Sequence, residues 1–327
     1  MDNEWTMASS SSKKVIYAAL AGNLLVALTK FVAAGVTGSS AMISEGVHSL
    51  VDTGNELLLL YGLRRAARPP DEAHPLGHGR ELYFWSFIVA LLIFAVGAGV
   101  SLYEGVTHIF HAAPLTRPVV NYVVLGLAIV FESGSWWVAF RAFRAAKGAQ
   151  GYYEAVRESK DPPGFLVLFE DSAALLGLFI ALVGTVAAEI FDLPVLDGVA
   201  SIAIGLVLGA VALFLAQESK ALLIGEGASR EIVASICRIA RGERGVEHAN
   251  GLFTVHLGPR QVVASLSVDF ADDLSARDVE DIVARIERRI RERHPEVISI
   301  LIKPQSIANF RRGLDRRAIA SATDDER

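Results

Sequence analysis

The chain has 327 residues, 52% of them hydrophobic and 20% charged, with a net charge of −5. That apolar share is above the usual range of a soluble domain, and a mildly acidic balance gives no electrostatic footprint for nucleic acid. A single cysteine, Cys237, excludes an intramolecular disulfide framework and a cysteine-rich zinc site.

Charge is sparse up to about Gln217 and dense beyond it, so a membrane domain is expected to precede a soluble one. The acidic, then serine-rich start (MDNEWTMASSSSKK) predicts a polar tail over 1–13. The apolar run from Val15 is too long for a signal-peptide core and reads as a retained helix. Six segments are long enough to cross about 30 Å of hydrocarbon at 1.5 Å per residue. They cover 14–36, 39–63, 81–110, 118–146, 163–190 and 195–216, giving a six-helix membrane domain over 14–216. The second and fifth carry charged residues that should weaken their hydropathy, as in helices at the centre of a bundle.

Orientation follows the basic residues. Lys13 and Lys14 precede the first helix. Arg64, Arg65, Arg68 and Arg80 lie between the second and third, and Arg141, Arg144, Lys147, Arg157 and Lys160 between the fourth and fifth. The opposite connections hold one basic residue, Arg117. Both termini are therefore expected on the cytoplasmic side. The compact length and the lack of a transit peptide point to a bacterial inner membrane.

Beyond Gln217 the pattern changes. Residues 230–241 read as an amphipathic helix, 251–257 and 261–269 alternate like strands, and 297–303 form a last strand. Ser275 is a good N-cap for a helix over 275–293. The order α-β-β-α-β predicts a ferredoxin-like α+β domain over 217–305, followed by a charged tail over 306–327.

Chemistry concentrates in three places. In the second helix, Glu45, His48, Asp52 and Asn55 fall on one stripe, with His48 and Asp52 one turn apart at membrane depth. An unpaired charge there costs on the order of 2.5–3.5 kcal/mol or more. The pair must therefore meet a cavity, a cation, or a partner helix, and imidazole plus carboxylate is also a good divalent-metal pair. In the fifth helix, Glu170 and Asp171 sit about two turns from its start. Adjacent residues point about 100° apart, so one acid is expected to face the second helix and the other a neighbouring helix or water. In the loop after the second helix, Asp71, His74 and His78 offer three metal ligands, with a solvated turn as the alternative. Asn23, Lys30, Glu104 and Glu132 read as residues that tie helices together or snorkel.

The combination of SSAMISE at 39–45, His48-Ser-x-x-Asp52 and HPLGHGRE at 74–81 resembles the cation diffusion facilitator family, over about 14–305. The Glu-Asp pair of the fifth helix resembles its zinc transporter 9-like subgroup. The resemblance implies homodimeric exporters of Zn²⁺ and related divalent cations in exchange for protons, with no enzymatic activity and no organic cofactor. It implies a transport site between the second and fifth helices, with His48 and Asp52 as ligands, a loop metal site at Asp71, His74 and His78, and a cytoplasmic domain that dimerises. The family's fifth-helix ligands are His-x-x-x-Asp, and counting back from Asp197 puts Glu170 at the first position and Ala174 at the second. The implied set is thus His48, Asp52, Glu170 and Asp171, with Glu45 as a secondary candidate.

Oxygen and imidazole donors suit Zn²⁺, Mn²⁺, Fe²⁺ or Co²⁺, with zinc favoured by the affinity order. The clearest strands of the soluble domain carry no histidine, leaving isolated His248 and His256, so that domain is expected to hold no metal and to serve dimer contact. The partners expected are a divalent ion, protons, the bilayer and a second copy. One alternative is a scaffold or regulator of the same fold that has lost transport. Another is an intramembrane metalloenzyme, which lacks a His-Glu-x-x-His motif here.

Overall fold

The computed structural model describes residues 2–37, 40–110 and 118–313, with side chains outside the description at 2–12, 33–34, 36–37, 40–48, 118, 120–121, 153 and 158. Of the charged tail expected over 306–327, residues 307–313 are helical and 314–327 lie outside the described residues. The chain divides into two compact units, Met1–Leu223 and Ile224–Arg327.

The first unit is helical. In order come α1 (Asp2–Thr37), α2 (Ser40–Ala66), α3 (Arg80–Leu92), a π-helical segment (Ile93–Ala98), α4 (Gly99–Phe110), α5 (Pro118–Lys147), α6 (Tyr152–Glu158), α7 (Pro162–Phe191) and α8 (Val195–Ile224). Among the described residues, five helical stretches are long and apolar enough to cross a membrane: Lys13–Val32, Arg80–Phe110, Tyr122–Lys147, Pro162–Phe191 and Val195–Ile224. The second helix, α2, has the length at 27 residues but carries its polar stripe in the middle. The fifth expected span has a mean hydropathy of 2.2, so its acids dilute it less than the sequence reading supposes. Large side chains such as Leu28, Tyr103, Phe179 and Leu206 face outward, a neutral arrangement in hydrocarbon and a costly one in water.

Four differences from the sequence reading have local causes. The backbone of α1 is helical from Asp2, through the residues expected to be a polar tail. The sixth helix runs to Ile224, past the expected end at 216, because Leu215, Ser219 and Leu222 continue one buried face. A short α6 fills the connection before α7, which opens on Pro162 and Pro163, where missing N–H groups cost nothing. The π-helical segment interrupts the third span; i→i+5 bonding adds one residue to a turn and re-aims the faces on either side.

The bundle core gathers Leu59 from α2, Val89 and Ala90 from α3, Phe165 and Leu166 from α7, and Leu215 from α8. α1 packs on α2 and α5, and α5 on α7. α4 and α8 touch backbone to backbone: a Cβ on Gly105 would lie 2.8 Å from the Gly198 carbonyl oxygen, and one on Gly198 would lie 2.9 Å from that of Gly105. Only hydrogen atoms at both positions permit that crossing.

The second unit contains α9 (Arg230–Arg241), β1 (Val246–Gly258), β2 (Gln261–Phe270), α10 (Ala276–Arg293) and β3 (Val297–Pro304). The sheet order is β1-β2-β3, with β1 antiparallel and β3 parallel to β2. Parallel pairing needs a crossover, which α10 supplies. A capping box of Ser275 and Asp278 starts α10. Ile236 and Ala240 of α9 and Ile282, Ile286 and Ile290 of α10 cover Val262, Ala264, Leu266 and Val268 of β2. β1 begins five residues before the expected Gly251, since register shifts at Val246/His248 and Ala249/Gly251 break the alternation that marks a strand.

Candidate functional site

A cavity of about 210 Å³ lies inside the helical unit. α2 contributes Ser49, Asp52 and Asn55 to its wall, and α7 contributes Glu170, Asp171 and Ala174. The π-helical segment adds Ile93, Val96 and Gly97, and α4 adds Ser101 and Glu104. Asn23, Lys30 and Glu132 also border it. Asp52, Glu170 and Asp171 of the expected set are therefore brought together. The side chains of Glu45 and His48 lie outside the described residues. Ala174 borders the cavity and supplies no ligand atom.

The adjacent acids of α7 point to different helices, as their 100° separation requires. Asn55 Nδ2 donates to Glu170 Oε1 at 3.2 Å, tying it to α2. Ser135 Oγ donates to Asp171 Oδ2 at 2.7 Å, tying it to α5. Both remain on the cavity wall, buried to 8% and 2% exposure. Lys30 Nζ donates to Ser49 Oγ at 3.0 Å.

Sequence reasoning assigned Asn23, Lys30, Glu104 and Glu132 to ties between helices. Asn23 and Lys30 do make such ties, yet all four also border the cavity. Their single polar positions in apolar helices carry no local mark of which way they face. Glu56 was missed: it is fully buried and accepts from Asn23 Nδ2 at 2.7 Å. The signal was present, since Glu56 falls one turn beyond Asp52 on the same helix. Glu56 Oε2, Glu170 Oε2 and Asn55 Oδ1 are buried without a hydrogen-bond partner among the described residues. Unsatisfied acceptors of this kind cost about 1–3 kcal/mol each, more when charged, so a cation or protons would relieve them.

Asp52, Glu104, Glu132, Glu170 and Asp171 set five carboxylates around the cavity, against Lys30 as the one cation among its described lining residues. Such an excess of acid inside an apolar bundle is tolerable only with mobile positive charge. Carboxylate oxygens and amide carbonyls are hard donors suited to divalent ions, and an imidazole would add affinity for zinc.

The loop between α2 and α3 forms a separate cluster. The ligand atoms of Asp71, His74 and His78 lie within 4.8 Å of one another. Asp71 Oδ2 meets His78 Nε2 at 2.9 Å, and Asp71 Oδ1 meets the His74 N–H at 2.6 Å and His74 Nδ1 at 3.3 Å. The hydrogen bond from His78, then that from the His74 backbone, lowers the Asp71 carboxyl to about 2. Beside the loop, Arg65 of α2 pairs with Glu81 of α3 at 2.6 Å and joins the helices that carry it. In the second unit, Glu247, His248 and Asp269 also bring ligand atoms within 4.8 Å, through the β1/β2 pairing. The expectation of isolated histidines there thus fails for His248, because β1 extends further back than its alternation reveals.

Residues 16–224 match the family described as "Cation efflux transmembrane domain", and residues 228–305 match "Cation efflux protein, cytoplasmic domain". The proton-coupled zinc antiporter SLC30A9, mitochondrial, of Mus musculus is 33% identical over 259 residues, 79% of this chain and 46% of that protein. Metal tolerance protein C4 of Arabidopsis thaliana is 31% identical over 261 residues, 79% of this chain and 57% of that protein. The manganese efflux system protein MneS of Bacillus subtilis is 27% identical over 275 residues, 84% of this chain and 89% of that protein. The chain spans about half the length of the first two relatives. The chain belongs to the cation efflux family, the cation diffusion facilitators, in the zinc transporter 9-like subgroup: metal transporters built on a helical membrane domain with a small cytoplasmic α/β domain, and not enzymes.

Proposed function

We propose that this protein exports a divalent cation, Zn²⁺ first, by secondary active exchange against protons. The observation that carries the reading is the convergence of Asp52, Glu170 and Asp171 on one cavity within an apolar bundle. His48, one turn before Asp52 on α2, completes the set as a nitrogen donor. Ionised carboxylates and a neutral imidazole bind metal, and their protonated forms do not, so loading and proton release are linked. The ion enters from the cytoplasmic side, where the basic residues and both termini are placed by charge bias, and helix motion then exposes the cavity to the other face. Six crossings, α2 included, satisfy that topology.

Zinc is favoured by the affinity order of nitrogen and oxygen donors, and similarity to a zinc antiporter supports it. The carboxylate-rich wall also suits Mn²⁺, in line with similarity to a manganese efflux protein. Asp71, His74 and His78 hold a second ion at the loop, and the cytoplasmic domain joins two copies into a homodimer.

The deciding experiment is flux in proteoliposomes with Zn²⁺, Mn²⁺, Fe²⁺ and Co²⁺, with and without a pH gradient. Wild-type protein should move metal and consume the gradient, while His48→Ala, Asp52→Ala and Glu170→Gln fold but carry none. Wild-type flux in Asp52→Ala or Glu170→Gln would overturn the site. Absence of flux for all four metals in wild-type protein would favour a transport-deficient scaffold.

A further inference from the structure

The cavity wall continues one turn past the polar residues already described, along two helices that the transport reading leaves idle. On α4, Glu104 borders the cavity and His108 follows at i+4 on the same face. On α8, Ser201 borders the cavity and Asp197 precedes it by the same interval. Four residues of helix rise about 6 Å, so the second pair lies that far toward the bundle end opposite the Asp71 loop. His108 Nε2 and Asp197 Oδ2 meet at 3.9 Å.

That distance is too long for a hydrogen bond. It is close to what one ion would span, since two ligands at about 2.0–2.2 Å from a tetrahedral zinc lie about 3.4 Å apart. Helix-end electrostatics favour a basic group late in α4 and an acidic group early in α8. They do not explain why these two converge, nor why each has a cavity-lining polar residue one turn behind it. The Gly105–Gly198 contact lies between the two levels and holds the helices at this spacing, with Glu104 and Ser201 on its inner side and His108 and Asp197 on its outer side.

We propose that His108 and Asp197 form a transient divalent-cation site on the path between the cavity and the outer end of the bundle, with Glu104 handing the ion across. The inference rests on the transport reading above. Two protein ligands, 40% and 28% exposed, leave water to complete the coordination. Such a site binds weakly, which is what release requires.

The test uses the full-length protein in proteoliposomes, with Zn²⁺ and Cd²⁺ as probes. His108→Ala and Asp197→Asn should each lower maximal Zn²⁺ flux by about tenfold, the scale of losing one group around a bound metal, with the entry-side KM unchanged. His108→Cys should restore flux and raise the Cd²⁺:Zn²⁺ flux ratio above that of the wild type, because a thiolate selects the softer ion. A purely structural role would leave that ratio unmoved, so an unmoved ratio, or wild-type flux in His108→Ala, overturns the proposal. If His108→Ala does not fold, the cysteine and Asp197→Asn arms decide. Asp52→Asn separates the two readings: its wild-type flux sinks the cavity, whereas loss there beside wild-type flux in the His108 and Asp197 variants sinks only the exit site.

Discussion

Replacing Ser135 by alanine removes one hydroxyl from behind the cavity wall and little else. Ser135 Oγ donates to Asp171 Oδ2 at 2.7 Å, and the residue is 5% exposed, so no bulk water replaces the bond. Alanine keeps the Cβ that packs toward Gly22, where an added Cβ would stand 3.4 Å away, so the contact between α1 and α5 survives. Partners of this kind orient a ligating carboxylate, and their loss costs about 10–100-fold in metal affinity, or about 1.4–2.8 kcal/mol. A hydrogen bond to a charged group is worth about 1.5–3 kcal/mol by mutational series, which agrees. The expected outcome is a KM for Zn²⁺ raised about 10–100-fold with maximal flux little changed, the pattern of lost ground-state binding. Ser135→Thr, which keeps a hydroxyl, should recover part of the affinity. In Asp171→Asn the same Ser135→Ala change should add little, because the two side chains act as one unit. A wild-type KM in Ser135→Ala, or simple additivity with Asp171→Asn, would refute the placement of Asp171 on the ion path.

Three further outcomes are expected. At the loop, His78→Ala should let the Asp71 carboxyl rise from about 2 toward its ordinary value near 3.9, followed by carboxyl NMR titration; in the wild type this contact is present above the ordinary value and is lost as pH falls through about 2. In the cytoplasmic unit, the Arg289 and then the Arg285 hydrogen bonds hold the Glu243 carboxyl below the usual range. Their stabilisation is present above the ordinary carboxylate pKa and fades as pH falls through the depressed one. Glu243→Gln should flatten that acid limb in hydrogen exchange of α10, by about 1 kcal/mol or less since Arg289 is half exposed. Gly245 has φ +94°, and a Cβ there would lie 2.8 Å from Ile282 Cδ1, so Gly245→Ala should destabilise the same unit by about 1–3 kcal/mol in denaturant titration; a shift under about 0.5 kcal/mol, the scale of a neutral surface change, would contradict the strain.

Local sequence was enough to determine most elements of both units. Apolar runs over 81–110, 163–190 and 195–216 announce helices because helical hydrogen bonds close within a few residues. The alternation of VVASLSVDF and the Ser275 cap likewise place β2 and α10, which the structure carries as Gln261–Phe270 and Ala276–Arg293. The stripe of Asp52 and Asn55 and the Glu170-Asp171 pair were also visible, as charges in hydrocarbon that need a reason.

Tertiary structure alone decided which polar groups meet. Glu104 and Glu132 read as isolated residues on separate helices until packing brought them to one wall, and Glu56 found Asn23 across 33 residues of chain. The π-helical segment and the bulged start of β1 escaped for a related reason, since both shift the phase on which sequence patterns rely. Periodicity along a chain reports which face of one element is buried. Convergence of faces from different elements is a long-range property, set by helix contacts such as Gly105 on Gly198, and no single segment encodes it.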